Sequence, residues 1–201
     1  RRLHFAGPAP RNLDVPGPWS VRFASGWGAP EEVSFPALIS WSEHSDPGVR
    51  FFSGTATYRR SLQIPAELIA PDRRVILDLG RVEAFAQVRL NGTDLGIRWH
   101  APYCADITGT VKAGENELEV AITNLWPNRM IGDEQLPEDS ERRNNGTLVQ
   151  WPQWLQEGKP SPTGRFTFTT WRLWARDSEL QPSGLLGPVT LRSLGVQVVA
   201  Q

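Results

Sequence analysis

The chain has 201 residues, with 21 Lys and Arg against 22 Asp and Glu and a formal net charge of -1. Charges mixed this evenly leave no basic footprint for nucleic acid or an anionic membrane, and no apolar run approaches the roughly 20 residues that span a bilayer, so both partners are set aside. A single cysteine, Cys104, rules out an intrachain disulfide and a multi-cysteine metal centre, and His4, His44 and His100 lie too far apart for a zinc-type spacing.

Residues 1–50, rich in Pro and Gly, read as a covering segment with edge strands around Trp19 to Phe23 and Val33 to Phe35, because proline is poorly tolerated in a central ladder. Thr55 to Ile64 is the first strong strand. Ala56, Tyr58, Leu62 and Ile64 share one face, and Arg60, which interrupts it, is expected near a sheet end. Pro65 to Ile69 offers one helical turn before a short strand at Arg74 to Leu79. Val82, Ala84, Ala86, Val88 and Leu90 then alternate with Glu83, Phe85, Gln87 and Arg89, and Asn91-Gly92 supplies the positive backbone angles of a two-residue hairpin. Leu95-Gly96-Ile97 begins the return strand, and Leu118, Val120 and Ile122 alternate again after Gly114-Glu115-Asn116. Nothing from Leu79 to Ile131 has a helical period.

From Asn124 to Gly164 no period persists, a connection of about 40 residues where compact domains seldom exceed about 12 to 15. Strand pattern returns at Arg165 to Thr169, Val189 to Leu191 and Val196 to Val199. The expectation is an all-β chain, a jelly-roll β-sandwich over residues 51–201 covered by residues 1–50 and forming one structural domain with them. The opening RRLHFAGPAP lacks the apolar segment of a signal peptide, and a start without Met reads as a piece of a longer chain.

Particular residues carry a resemblance to a known family. The order of a strand, Asn91-Gly92, Leu95-Gly96, a loop with Pro102-Tyr103, Asp106-Ile107-Thr108, then Gly114-Glu115-Asn116-Glu117-Leu118 and a strand ending at Asn124 resembles the galactose-binding-like sugar-binding domain of family 2 glycoside hydrolases. Thr123 to Pro137 (TNLWPNRMIGDEQLP), Arg165 to Trp171 and Pro182 to Leu191 look more like the C-terminal β-domain of family 106 α-L-rhamnosidases, and Phe51 to Pro65 fits both. The resemblance covers about residues 50 to 195. It implies a noncatalytic carbohydrate-binding module of a larger bacterial glycoside hydrolase, periplasmic or secreted, that holds plant or bacterial polysaccharide beside a catalytic domain; the alternatives are a purely structural domain packed on the catalytic barrel, or a hydrolase fragment contributing active-site residues. It also implies a possible structural calcium, as in other galactose-binding-like sandwiches.

Nine tryptophans against two tyrosines fit sugar recognition and a large β core equally, since Trp joins a stacking face to an N–H donor. The candidate carbohydrate contacts are Trp126, Asn128, Arg129, Asp133 and Glu134 at the head of the long connection, with Trp99 and Trp174 as stacking partners. A hydroxyl-rich ring needs an aromatic face with amide, guanidinium and carboxylate groups around it. The competing reading has Asn124, Asn128 and Arg129 fastening the connection to the sandwich. Glycoside hydrolysis needs two facing carboxyl groups about 5 to 9.5 Å apart. Asp133-Glu134 is the sole carboxylate pair in a family-like motif, and binding to backbone amides, an arginine or calcium is the stronger reading of it. No catalytic residue is assigned. Cys104 is read as a small buried apolar side chain.

Overall fold

In the computed structural model, which describes residues 9–196, the period-two segments pair into antiparallel sheets that bury one face each. The elements in chain order are β1 (Arg11–Asp14), β2 (Trp19–Phe23), β3 (Glu32–Phe35), α1 (Pro47–Arg50), β4 (Thr55–Ile64), β5 (Arg73–Asp78), β6 (Arg81–Glu83), β7 (Phe85–Leu90), β8 (Thr93–Arg98), β9 (Cys104–Asp106), β10 (Gly114–Thr123), α2 (Pro127–Asp133), α3 (Gln153–Gln156), β11 (Gly184–Gly187) and β12 (Thr190–Gly195). A six-stranded sheet runs β3-β2-β4-β10-β7-β8, a four-stranded sheet runs β1-β12-β5-β9, and β11 pairs with β6. One core cluster takes Trp19, Val21, Tyr58, Val88 and Val120 from the first sheet and Val75, Leu77 and Leu191 from the second, which makes the fold a β-sandwich.

The hairpin forms as its dipeptide dictates: Asn91 and Gly92 sit at φ 52° and 79° between β7 and β8. Its Asn91 side chain donates to Asn116 Oδ1 at 2.9 Å and accepts from the Glu117 amide at 3.0 Å, fixing the turn to the start of β10. Arg60 lies just past the last residue that β2 pairs on β4, and its guanidinium reaches the Pro18 carbonyl at that margin.

Several sequence expectations change in the fold. Residues 82–90 form two strands, because Ala84 is a break at which β6 leaves for β11 while β7 stays against β10. β2 is interior to its sheet, with Trp19, Val21 and Phe23 buried, so of the two segments expected at an edge β3 alone lies there. Pro127 to Ile131, inside the stretch without helical period, begins α2, with Pro127 in the first turn where its missing N–H costs nothing. Arg165 to Thr169 is not a strand. The Asp133 carboxylate takes the amides of Phe166 and Thr167, and the Arg142 guanidinium takes the Thr169 carbonyl, so side chains satisfy backbone groups that a ladder would otherwise pair. Cys104 is half-buried beside Arg192, and burial with the nearby Asp78 charge pushes its thiol pKa up. The expected strand at Val196 to Val199 lies, after Val196, outside the described residues, as does His4.

Strand direction and register collect the loops. Phe23 pairs with Ala56, Thr55 with Thr123, Thr123 with Phe85, and Ala86 with Arg98. The turn after β2, the segment before β4, the exit of β10 and the exit of β8 therefore share one end of the six-stranded sheet. The long connection leaves from that end.

Candidate functional site

The connection is secured before it can present anything. Asn124 donates to the Phe52 carbonyl at 2.9 Å and to Ser183 Oγ at 3.2 Å. Asn128, only 1% exposed, spends its amide on Gln181 and Ser183: it donates to the Gln181 carbonyl at 2.7 Å and to Ser183 Oγ at 2.9 Å, and accepts from the Gln181 amide at 2.7 Å. Arg129 and Asp133 sit one turn apart on α2 as a buried ion pair, Nε to Oδ1 3.2 Å. Burial pulls the Arg129 pKa down and the Asp133 charge pushes it back up. The guanidinium lies over the Phe166 ring, 4.7 Å from its centroid, a cation–π contact in a desolvated place.

Glu134 does similar work further out. It accepts from Arg165 at 2.9 Å and pairs with Arg172 at 3.2 Å, while Glu138 contacts both arginines. The polar candidates Asn128, Arg129, Asp133 and Glu134 are thus brought together, but turned into the protein and engaged there, the arrangement of the fastening reading, with Arg129 Nε and Asp133 Oδ1 facing each other as buried charges without a hydrogen bond. Asp133 and Glu134 bind amides and arginines. Among the described residues no three Asp, Glu, His or Cys side chains converge, so a structural calcium would draw largely on backbone carbonyls.

The aromatic candidates separate. Trp126 is half exposed, and its ring meets Trp27 edge-on at 5.6 Å. Trp99 is 66% exposed just after β8, set edge-on against His100. Trp174 is partly buried with its Nε1 shielded and unpartnered, on a small inner cavity that Asp133 and Glu134 also line.

Residues that the sequence left unassigned line an open aromatic cleft. Trp27, carried on the turn after β2, stacks on Phe166 at 6.1 Å, and Trp154 of α3 meets Phe168 edge-on at 5.9 Å. Between these pairs lies an open cleft of about 610 Å³, with Pro160 and Ser161 at its margin. Trp126 flanks one aromatic pair and Trp151 the other. Trp154 Nε1 donates to the Asp139 carbonyl at 2.9 Å and Ser161 Oγ to the Asp139 carboxylate at 2.7 Å, which fixes the indole beside the hydroxyl. The alternation of Phe166 and Phe168 was a visible signal. That Trp27 meets them was not, because 139 residues separate it from Phe166.

Comparison with known proteins places these features in a family. Residues 43–156 match the family described as glycosyl hydrolase 2 galactose-binding domain-like. A protein of Formosa agariphila named "Putative beta-glucuronidase" is 43% identical over 185 residues, covering 92% of this chain and 16% of the relative. The rhamnosidase of Novosphingobium sp. PP1Y superposes with a TM-score of 0.73 at 34% identity, over 96% of this chain and 16% of that one. The Bifidobacterium dentium β-glucuronidase complexed with coumarin-3-O-glucuronide shares the fold, with a TM-score of 0.61 at 22% identity over 96% of this chain and 31% of that one. The chain spans about a sixth of the length of the Formosa and Novosphingobium proteins. With its sandwich, its Asn-Gly hairpin and its match over residues 43–156, the chain belongs to the galactose-binding-like domains of glycoside hydrolase family 2.

Proposed function

We propose that this chain is a noncatalytic carbohydrate-binding domain of a larger glycoside hydrolase, and that it holds plant or bacterial polysaccharide in the cleft between Trp27, Trp154, Phe166 and Phe168. The observation that carries this reading is the cleft itself, which has a volume in the range of ligand sites, aromatic faces on two sides and a hydroxyl at its margin. Its position agrees: it stands on the end of the sandwich where the loops gather, so a long polymer can cross it without threading the fold. The carboxylates of the connection are tied to arginines and amides, which supports a binding role over hydrolysis by this chain.

A rhamnosidase-like parent enzyme is supported by the 34% identity to the Novosphingobium protein, and a β-glucuronidase-like one by the 43% identity to the Formosa protein. One kind of domain beside both activities fits a role in holding the polymer, with the bond cleaved chosen by the catalytic part.

The test is calorimetric titration of the chain with rhamnose-containing, galactose-containing and pectic oligosaccharides. A single such cleft predicts dissociation constants in the millimolar to micromolar range, about -4 to -8 kcal/mol. Substitution Trp154→Ala weakens every ligand that binds there. Absence of heat with all three classes overturns the reading.

A second reading, that this surface packs on the catalytic part of the parent, is favoured by one observation. Leu125, Trp126, Val149, Trp151, Trp171 and Leu173, all exposed, concentrate on one excursion. Acrylamide quenching in the parent enzyme separates the two. Tryptophans shielded in the parent and open in the isolated chain assign the surface to packing, and tryptophans open in both assign it to ligand.

A further inference from the structure

Beyond the aromatic cleft, the outer turn of the same excursion carries a second feature with its own chemistry. Residues 142–148 fold into a tight turn closed by bridges from Arg142 to Leu148 and from Thr147 to Trp171. An open groove of about 550 Å³ runs beside it, bordered by Arg142, Arg143 and Arg172 against the single carboxylate of Glu138.

The three arginines are not equivalent. Arg172 is spent on Glu134 and Glu138. Arg142 holds the turn, donating to the Gly146 carbonyl at 3.1 Å and the Thr169 carbonyl at 2.7 Å. Arg143 is exposed, makes one side-chain hydrogen bond, to the Leu148 carbonyl at 3.0 Å, and has no carboxylate within ion-pair distance among the described residues. The rest of its guanidinium fork has no partner among the described residues, and the side chain borders the groove.

The neighbours add amide donors to those of the arginines. Asn145 Oδ1 is already taken by the amide and hydroxyl of Thr147, at 3.2 and 2.7 Å, so its Nδ2 is left to give. Exposed Asn144 makes no side-chain hydrogen bond among the described residues. One oxygen of Glu138, Oε1, is committed to Arg165 and Arg172. A neutral sugar presents hydroxyls that both give and accept, whereas a donor-rich wall matches a group that only accepts: a carboxylate or a sulfate ester. Beside this wall stands Trp171, 54% exposed, its Nε1 pinned to the Asn145 carbonyl at 2.8 Å, so the indole stays in place as a stacking face.

We propose that this groove is a subsite for an anionic sugar residue, with the ring on Trp171 and the carboxylate or sulfate ester on Arg143, Asn144 and Asn145. The inference rests on the carbohydrate-binding reading and adds a ligand class to it. Because the groove is open to solvent, its charge contribution is screened by salt.

The experiment titrates the chain with a uronic acid oligosaccharide, a sulfated oligosaccharide and a neutral oligosaccharide of equal length, at low and high ionic strength. At least one acidic ligand binds more tightly than the neutral one at low salt, and the advantage shrinks at about 0.5 M salt, where the Debye length falls below about 5 Å. Arg143→Gln, a surface change that leaves the turn's carbonyl contacts from Arg142 intact, lowers acidic affinity by about tenfold and leaves neutral affinity unchanged. Arg143→Lys, which keeps the charge and loses the planar fork, recovers part of the loss. A preference for the uronate or for the sulfated ligand supports the subsite in either case and names its occupant. Equal affinity for acidic and neutral ligands, or an Arg143→Gln protein that binds acidic ligand as before, overturns the subsite and leaves the aromatic cleft standing. Loss of all three titrations overturns both readings.

Discussion

Asp133 Oδ2 accepts both the amide and the hydroxyl of Thr167 at 2.7 Å, joining α2 to a segment 34 residues further along. The other oxygen of the same carboxylate faces Arg129 at 3.2 Å. A single buried side chain therefore closes the excursion, setting where Phe166 and Phe168 stand and thus the walls of the cleft.

The first prediction concerns that closure. Asp133→Ala leaves the Arg129 charge buried and two backbone amides unpaired, so it costs about 3–5 kcal/mol, the usual loss on breaking a buried pair from one side. Urea unfolding measures it. A loss below about 1 kcal/mol shows that the excursion stands without this carboxylate.

Trp126 tests the rim of the cleft. It is 51% exposed and touches Trp27 at its edge, so Trp126→Ala costs little in melting temperature and weakens sugar binding by about 1 kcal/mol, in line with aromatic contact energies. A core anchor would instead cost about 3–5 kcal/mol of stability. Thermal unfolding and titration of the same variant distinguish the two.

Tyr58 provides a pH dependence. Burial, partly offset by hydrogen bonds from the Leu185 amide and Trp41 Nε1, raises its phenol from 10.0 to about 12. The folded state holds this proton more tightly than the unfolded chain does. The contribution is therefore whole below pH 10 and is lost as pH rises toward about 12, in all about 3 kcal/mol. Tyr58→Phe removes this slope. It also leaves Trp41 Nε1 and the Leu185 amide without their acceptor, at about 1–3 kcal/mol each near neutral pH. Denaturant unfolding at several pH values reads both effects.

Gly184 is fixed by crowding. It holds φ 100°, and a Cβ there would sit 2.6 Å from Trp41 Nε1 and 2.7 Å from Tyr58 Oη. Gly184→Ala adds overpacking to backbone strain, about 2–6 kcal/mol together, and shifts the thermal midpoint accordingly. A midpoint within about 2 °C of the parent chain would show that β11 can give way.

Removal of divalent cations makes the last test. A structural calcium bound only by the folded chain makes chelation lower the melting temperature, and an unchanged midpoint removes calcium from the account. A fall reversed by calcium would reveal a site built on backbone carbonyls.

The sequence by itself determined the sandwich. Alternation at 56–64, 86–90 and 118–122 assigns buried faces, because a strand buries every second residue, and Asn91-Gly92 fixes a register without reference to anything distant. The same local logic marked the connection after Asn124 as unusual and grouped Asn128, Arg129, Asp133 and Glu134 within it. What local pattern could not decide was the direction in which those groups point. Asn128 finds Gln181, Asp133 finds Thr167 and Glu134 finds Arg165 at separations of 31 to 53 residues, contacts with no period to announce them. The cleft is likewise a product of tertiary structure: Trp27 comes from the turn after β2 and Trp154 and Phe166 from the excursion after β10, two segments that only the pairing order of β2, β4 and β10 carries to one end of the sheet. A strand's face is set by its own residues and the pleat, whereas a loop's contacts are set by whichever distant groups satisfy its buried polar atoms, and that choice exists only once the sheets have formed.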